Sequence, residues 1–173
     1  MRDYQLLTAK PVLYVANVDE QSLEGNTYVE QVTDYASREQ AGTVTICAGI
    51  EAELAQLDGD DQAEFLADLG LSEPGLNRLI RAGYELLDLL TFFTVGPKEA
   101  RAWTVQRGAT APQSAGCIHT DFERGFIRAE VTAYDDYLQF EGEQGCKEAG
   151  KLRLEGKEYI TQEGDIMHFR FNV

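Results

Sequence analysis

Two kinds of hydrophobic pattern divide the chain. In the first half, short β-branched runs alternate with stretches of helical period; in the second half, period-two alternation dominates. Val12 to Ala16 is an apolar run that stops on Asn17 and reads as a buried parallel strand. Gly25-Asn26 marks a turn. Tyr28 to Gln40 then repeats Val29, Val32 and Ala36 on one helical face, with Gly42 placed to close it as a C-cap. Thr43 to Cys47 is a second β-branched strand. The chain thus opens strand–helix–strand, the unit of a parallel sheet, with both strand ends on one rim. Before it, Met1 to Thr8 reads as the end of a helix packing through Tyr4, Leu6 and Leu7.

Two acidic helices follow, Ile50 to Leu57 and Asp60 to Leu69, the second with Phe65, Leu66 and Leu69 as its core face and Gly70 as its stop. Ser72-Glu73-Pro74 opens a longer helix, with Ser72 as cap and Pro74 in the first turn. Its apolar positions are Leu76, Leu79, Ile80, Leu86 and Leu87, with Leu90 as a further candidate at its end, the spacing of ordinary core. From Leu89 the pattern predicts strands. Thr91 to Val95 and Glu99 to Gln106 flank a hairpin turn, Val95-Gly96-Pro97-Lys98. A short helix, Pro112 to His119, comes next, then a strand over Phe126 to Ala133. Helical turns are expected at Asp135 to Phe140 and Gln144 to Ala149, and final strands at Tyr159-Ile160 and Ile166 to Asn172. A small sheet wrapped around one short helix is the β-grasp pattern, so a boundary falls near Asp88. The fold class expected is therefore α/β plus α+β.

Charge changes this picture by half. The formal net charge is −15, which argues against wholesale non-specific binding to nucleic acid or anionic membrane. Residues 1–88 hold 5 Lys/Arg and 17 Asp/Glu, a net of −12; residues 89–173 hold 10 and 13, a net of −3. The second half can therefore carry a basic face that the total conceals. Cys47, Cys117 and Cys146 form no C-x-x-C pair and make no ligand spacing with His119 or His168, so neither a disulfide framework nor a metal site is expected. Reduced thiols fit a cytoplasmic protein. No apolar stretch approaches membrane-spanning length.

The chemistry concentrates first at the end of the Val12–Ala16 strand. In open α/β sheets ligands sit beyond the carboxyl ends of the strands. Asn17 offers an amide that donates and accepts, and Glu20 offers an acceptor, with Asp19 between them. That equipment suits the edge of a nucleobase. The same residues also describe a plain strand and turn.

Six segments in register carry a more specific resemblance: V-L-Y-V-A-N-V-D-E from Val12, I-C-A-G-I-E-A-E-L from Ile46, P-G-L-N-R-L-I-R-A-G-Y from Pro74, F-F-T-V-G-P-K-E-A-R-A-W-T-V from Phe92, G-A-T-A-P-Q-S-A-G-C-I-H-T-D-F-E-R-G-F-I-R-A-E-V from Gly108 and E-G-D-I-M-H-F-R-F-N-V from Glu163. In order and spacing they resemble the C-terminal part of the YchF-type Obg-like ATPases. That family joins a P-loop nucleotide domain to a β-grasp TGS domain. The resemblance implies the end of the nucleotide domain over 1–50, a helical segment over 51–88 and a TGS domain over 89–173. It implies ATP with Mg²⁺ as the intact protein's cofactors, and ribosome or ribosomal RNA as partner, with no DNA and no membrane. The sequence contains no G-x-x-x-x-G-K-[ST]. Phosphoryl transfer rests on positioning and charge neutralisation, so this chain alone is expected to be inactive, with no catalytic residue and no metal ligand of its own. The alternative is a stand-alone TGS-type module that binds ribosome, RNA or a protein.

By resemblance, Asn17 contacts the base edge, Val18 the base plane or the main-chain contact beside it, and the backbone of Cys47-Ala48-Gly49 closes the other side. GTPases of the wider class have N-K-x-D where this chain has N-V-D-E. Glu20 is one methylene too long for the bidentate guanine contact, and Val18 replaces the lysine, which fits a preference for ATP. Asn17 tying two loops together and Cys47 being simply buried are the competing roles. In the second half the expected RNA or ribosome contacts are Arg124, Arg128, Lys147, Lys151 and Arg153, with Arg101, Arg107 and Lys157 also available. Trp103, Phe122 and Phe126 are candidates for stacking on bases. Pairing of these cations with Glu143, Glu148, Glu155 and Glu158 on a solvated surface is the competing account. His119 reads as a local hydrogen-bonding residue.

Overall fold

In the computed structural model, which describes residues 6–172, the chain folds as two units, Met1–Leu87 and Asp88–Val173. The expected packing of Tyr4 lies outside the described residues. Leu6 and Leu7 are exposed beside a short 3-10 turn, Leu7–Ala9, not packed as expected.

The first unit is built on two strands, β1 (Leu13–Asn17) and β2 (Gly42–Ile46), parallel and in register from Leu13 opposite Gly42 to Asn17 opposite Ile46. Helix α1 (Thr27–Arg38) connects them. Its start is fixed by Asn26, whose Oδ1 accepts from the N–H groups of Tyr28 and Val29, both at 2.9 Å. Its end corrects the expectation for Gly42. Gln40 takes the left-handed conformation at φ +57°, Ala41 N–H donates to Ala36 at 2.9 Å and Gln40 N–H to Ser37 at 3.2 Å. Gly42 instead opens β2, where a Cβ would stand 3.1 Å from the Leu13 side chain. The strands are parallel as expected but not buried: Val12 and Val15 are 47% and 44% exposed. A sheet of two strands has too little cover to bury both faces of β1.

Helices α2 (Ala48–Leu54) and α3 (Gly59–Asp68) pack together around Cys47, Ile50 and Leu54, with Phe65, Leu66 and Leu69 against them as their spacing predicts. Gly70 ends α3 at φ +67°, with Leu71 N–H on the Leu66 carbonyl at 2.8 Å. Helix α4 (Gly75–Leu86) begins differently from the expectation. Pro74, not Ser72, is the N-cap residue. The N–H groups of Gly75 and Leu76, which have no partner within the helix, are met by the Glu51 carboxylate at 2.7 and 3.1 Å, a charge placed where the helix dipole favours it. Glycine suits position 75 because a Cβ there would lie 2.8 Å from Glu51 Oε1. Arg78 donates to the Thr45 carbonyl at 3.1 Å, joining α4 to the end of β2. Leu79 and Leu86 are half-buried, whereas Leu76, Ile80 and Leu87 are exposed. The stripe read as core is thus only half core.

The second unit holds a five-stranded mixed sheet. β3 (Leu89–Val95) and β4 (Ala100–Gln106) form the expected hairpin, and Leu90, a candidate for the end of α4's apolar face, belongs instead to β3, opposite Val105. β5 (Phe126–Ala133) runs antiparallel to β7 (Asp165–Phe171) and to β6 (Arg153–Glu155), and β3 meets β7 in parallel at Phe93 and Ile166. The order is β4-β3-β7-β5-β6. Helix α5 (Ala111–Ile118) presses Ala111 and Ala115 into a core of Leu90, Phe92, Val131, Met167 and Phe169. Short helices α6 (Thr120–Arg124), α7 (Tyr134–Gln139) and α8 (Glu143–Glu148) complete the unit. The three-residue β6 had no signal in the pattern, and the expected strand at Tyr159-Ile160 is a single bridge between Ile160 and Thr110. The segment before β7 is held by buried Asp165, which accepts from Tyr159 O–H at 2.7 Å and Gln162 N–H at 2.9 Å and faces Arg153 at 3.5 Å.

Candidate functional site

The carboxyl ends of β1 and β2 bring the first group of expected site residues together. Val18 N–H donates to the Ile46 carbonyl at 2.9 Å, which extends the parallel ladder one step past β1. Asn17 Oδ1 accepts from Ala48 N–H at 3.0 Å. This bond bridges the two loops and satisfies one of the donors at the start of α2. Cys47, the N-cap residue of α2, is buried against Ile50 and Leu54. Ala48 and Gly49 are exposed beside it, as is Asn17, while Val18 is half-buried. Glu20 lies exposed at the start of a 3-10 turn, Glu20–Ser22, with Asp19 as its N-cap residue.

This geometry has a chemical consequence. An amide oxygen engaged with Ala48 leaves Asn17 its NH₂ group, so what the residue has to offer a ligand is chiefly a donor. It suits an acceptor such as the N7 that both purines carry. The bond to Ala48 establishes the loop-tying role and leaves the other end of the amide available for a ligand. Behind the loops stand two residues that pattern reading did not single out. Glu51, one turn into α2, caps α4, and Arg78 of α4 returns to Thr45 in β2. Neither partner lies within helical reach in sequence, so no local signal could have paired them.

The second group is not brought together as one free patch. Lys151 pairs with Asp136 at 3.1 Å, and Arg153 faces Asp165 at 3.5 Å and Glu155 at 3.8 Å while its guanidinium lies 5.5 Å from the Tyr159 ring. Of the carboxylates expected to compete, only Glu155 takes part; the others are supplied from α7 and β7. Among the described residues Arg124, Arg128 and Lys147 have no ion-pair partner, and all three are exposed. Arg128 sits opposite Arg170 across β5 and β7, and Arg170 is held by Glu130 at 3.1 Å. Phe126 is 4% exposed and belongs to the core, which removes it as a stacking surface. Trp103 and Phe122 are half-buried at its margin. His119 caps α6, its Nδ1 accepting from Asp121 N–H at 3.2 Å.

Among the described residues no group of three or more His, Cys, Asp or Glu side chains is placed to hold a metal ion, and no helix is long and apolar enough to cross a membrane.

Comparison with known proteins adds a second line of evidence. Residues 89–172 match the family YchF-GTPase_C, described as a protein of unknown function (DUF933). The whole chain is 62% identical over 173 residues to the ribosome-binding ATPase YchF of Pasteurella multocida and 53% identical over 176 residues to that of Bacillus subtilis. In both cases the match covers 100% of this chain and 48% of the relative, so the chain spans about half the length of the curated relatives it matches. Its fold superposes on the structure of the Schizosaccharomyces pombe YchF GTPase with a TM-score of 0.83 at 34% identity, over 97% of this chain and 45% of that one. Motif order, topology and these likenesses agree: the chain belongs to the YchF family and corresponds to the C-terminal part of its members.

Proposed function

We propose that the first unit is the base-recognition end of an ATP-preferring nucleotide domain and that the second is the TGS domain through which the intact protein meets the ribosome. The observation that carries the first part is the clasp between Asn17 Oδ1 and Ala48 N–H at the ends of two parallel strands. It orients the Asn17 NH₂ as a donor where α/β sheets bind ligands. The exposed faces of β1 and α4 support the same reading, since such surfaces suit a larger parallel sheet. ATP with Mg²⁺ belongs to the intact protein; this chain supplies neither a phosphate loop nor a carboxylate cluster for the metal among its described residues, and no hydrolytic step is assigned to it. Val18 would lie along the base, the Cys47-Ala48-Gly49 backbone would close its other side, and Glu20 is one methylene too long to grip guanine.

For the second unit, the sheet order with first and last strands parallel at its centre, and one helix packed on the core, is the arrangement a β-grasp requires. The name of the relatives, ribosome-binding ATPase, supports a ribosomal partner and with it a cytoplasmic location. Arg124, Arg128 and Lys147 are the contacts with charge to spare; Lys151 and Arg153 can serve only while still bound to Asp136 and Asp165.

Nucleotide titration tests the first part. In the intact protein ATP binds more tightly than GTP, and Glu20→Asp with Val18→Lys moves the ratio toward GTP by roughly 1–3 kcal/mol of discrimination. An unchanged ratio overturns the loop assignment. Phosphate release by this chain alone, abolished by Asn17→Ala, overturns its assignment as inactive. Co-sedimentation of the chain with ribosomes at two salt concentrations tests the second part. Replacing Arg124, Arg128 and Lys147 by Gln flattens the log–log salt dependence by about 0.7–0.9 for each phosphate that is no longer neutralised.

A further inference from the structure

At the β3–β4 hairpin end of the second unit lies a cavity of about 520 Å³ whose walls include Trp103, Phe122, Phe171, Ile118 and Pro97, with Lys98 at its edge. That volume is within the range of small-ligand sites. Its aromatic walls are fixed in place. Trp103 Nε1 donates to Thr94 Oγ1 at 2.9 Å, so the indole has spent its one donor and presents a π surface. Phe122 stacks on Phe171 with centroids 3.8 Å apart and 24° between planes. Arg101 lies over the Trp103 ring at 4.1 Å. Phe122 is carried by α6, which His119 caps, so the ring is set by a helix and not by a free loop.

Aromatic faces beside cations are the equipment for an unpaired nucleobase and its phosphate. A purely apolar side chain would need the walls but not Lys98. Glu99 stands next to Lys98 and also lines the cavity, which sets a phosphate on the lysine side. The half of the chain that holds the cavity carries −3 against −12 for the other half, so an anionic ligand is repelled least here. We propose that this cavity takes one unstacked nucleobase, with Lys98 meeting the adjoining phosphate. The proposal deepens the reading of the second unit as the ribosome-contacting part and rests on it.

The chain has a single tryptophan, and it lines the cavity, so its fluorescence reports occupancy directly. The 173-residue chain is titrated with a nucleoside monophosphate, a single-stranded oligoribonucleotide and the same sequence as a duplex. The single strand quenches Trp103, the duplex does not, and Phe122→Ala weakens binding about tenfold. Lys98→Glu, a change on an exposed residue, weakens it without disturbing the fold. Quenching by the monophosphate but not the strand assigns the same base chemistry to a free nucleotide. Ribosome pelleting of the same variants runs in parallel. If the unaltered chain does not pellet, the ribosome reading falls and fluorescence still judges the cavity. If it pellets but no nucleotide quenches Trp103, or if quenching is equal in both variants, the cavity proposal falls and the ribosome reading stands. Pelleting that Phe122→Ala weakens at every salt concentration, with no response to nucleotides, assigns the cavity to an apolar peptide and overturns the proposal.

Discussion

The two units differ in how much of their apolar surface they can use. In the second, eleven residues from four strands, the segment after β4 and α5 form one buried cluster, and Phe92, Leu90 and Met167 are essentially inaccessible. In the first, three residues make up the buried cluster, and Val15, Leu76 and Ile80 remain about half exposed. The first unit is held more by directed bonds between its elements: Asn17 to Ala48, Glu51 to the start of α4, Arg78 to Thr45. A core resists water through area and packing. A set of single hydrogen bonds holds geometry at the loops but contributes only about 1 kcal/mol each. The loops proposed to meet a nucleotide thus sit on the unit with the smaller core, where a ligand or an added layer of structure has most to gain.

The largest expected effect follows from the core. Phe92→Ala removes a ring that meets Phe169 edge-on at 6.0 Å and destabilises the second unit by about 3–5 kcal/mol. Urea unfolding followed by Trp103 fluorescence measures it. Amide exchange in α1 and α4 should be unchanged; a matching acceleration there would show that the two units do not melt independently.

Glu51→Ala comes next. It leaves the Gly75 and Leu76 N–H groups without their carboxylate and costs the first unit roughly 1–2 kcal/mol. Exchange accelerates in the first turn of α4 while the Trp103-monitored transition stays in place. Gly75→Ala should resemble it, because the added Cβ would stand 2.8 Å from Glu51 Oε1. If Gly75→Ala is silent, the carboxylate is not what fixes the start of α4.

These two cases also show what was legible in the sequence. Periodicity records which face of an element meets a core, so α1, α3, the hairpin and β5 could be read from local spacing. The ends of β1 and β2 could be set on one rim, and Asn17 and Ala48 do meet there. Periodicity does not record how much cover the rest of the unit provides, and Leu76 and Ile80 therefore resembled core residues. Nor does it record bonds between distant elements. Ser72 had the chemistry of a cap, but Glu51, 24 positions before Gly75, takes that role. Lys151 and Arg153 found partners on α7 and β7 and not among the nearest glutamates, apart from Glu155. β6 is too short to generate a pattern, and only its pairing with Ala129, Glu130 and Val131 makes it a strand.

Asn17→Ala has a smaller effect, about 1 kcal/mol at most, because Ala48 N–H is exposed enough to turn to water. Its signature is local: exchange at Ala48 and Gly49 accelerates, and the second unit is untouched. Asn17→Asp keeps the acceptor for Ala48 but removes the NH₂ group. In the intact protein it should hold the loops and still lose purine affinity, which separates the two ends of the amide. Equal affinity in Asn17→Asp would leave the residue a tie between loops and nothing more.

The smallest effect is set by pH, and it compares the units through one tyrosine in each. Burial, then the hydrogen bond it gives to Asp165, pushes the Tyr159 phenol from 10.0 up to about 12. Tyr14 in the first unit is also raised to about 12, first by its hydrogen bond to Glu39. A group whose pKa is higher folded than unfolded contributes in full below the unfolded value and loses that contribution as pH climbs through the folded one. Each unit should therefore hold its tyrosine's contribution up to about pH 10 and lose it between about 10 and 12. Both side chains are open enough to water that the loss is small. Tyr159→Phe should remove this alkaline step from the urea midpoint of the second unit and leave the first unit's step in place, whereas Tyr14→Phe should shrink the first unit's step, part of which Tyr35 keeps because its hydrogen bond to Glu39 raises it too, and leave the second's untouched. Removal of both steps by either variant would mean that the two units share one transition, and the contrast between a packed unit and a bond-held one would have to be withdrawn.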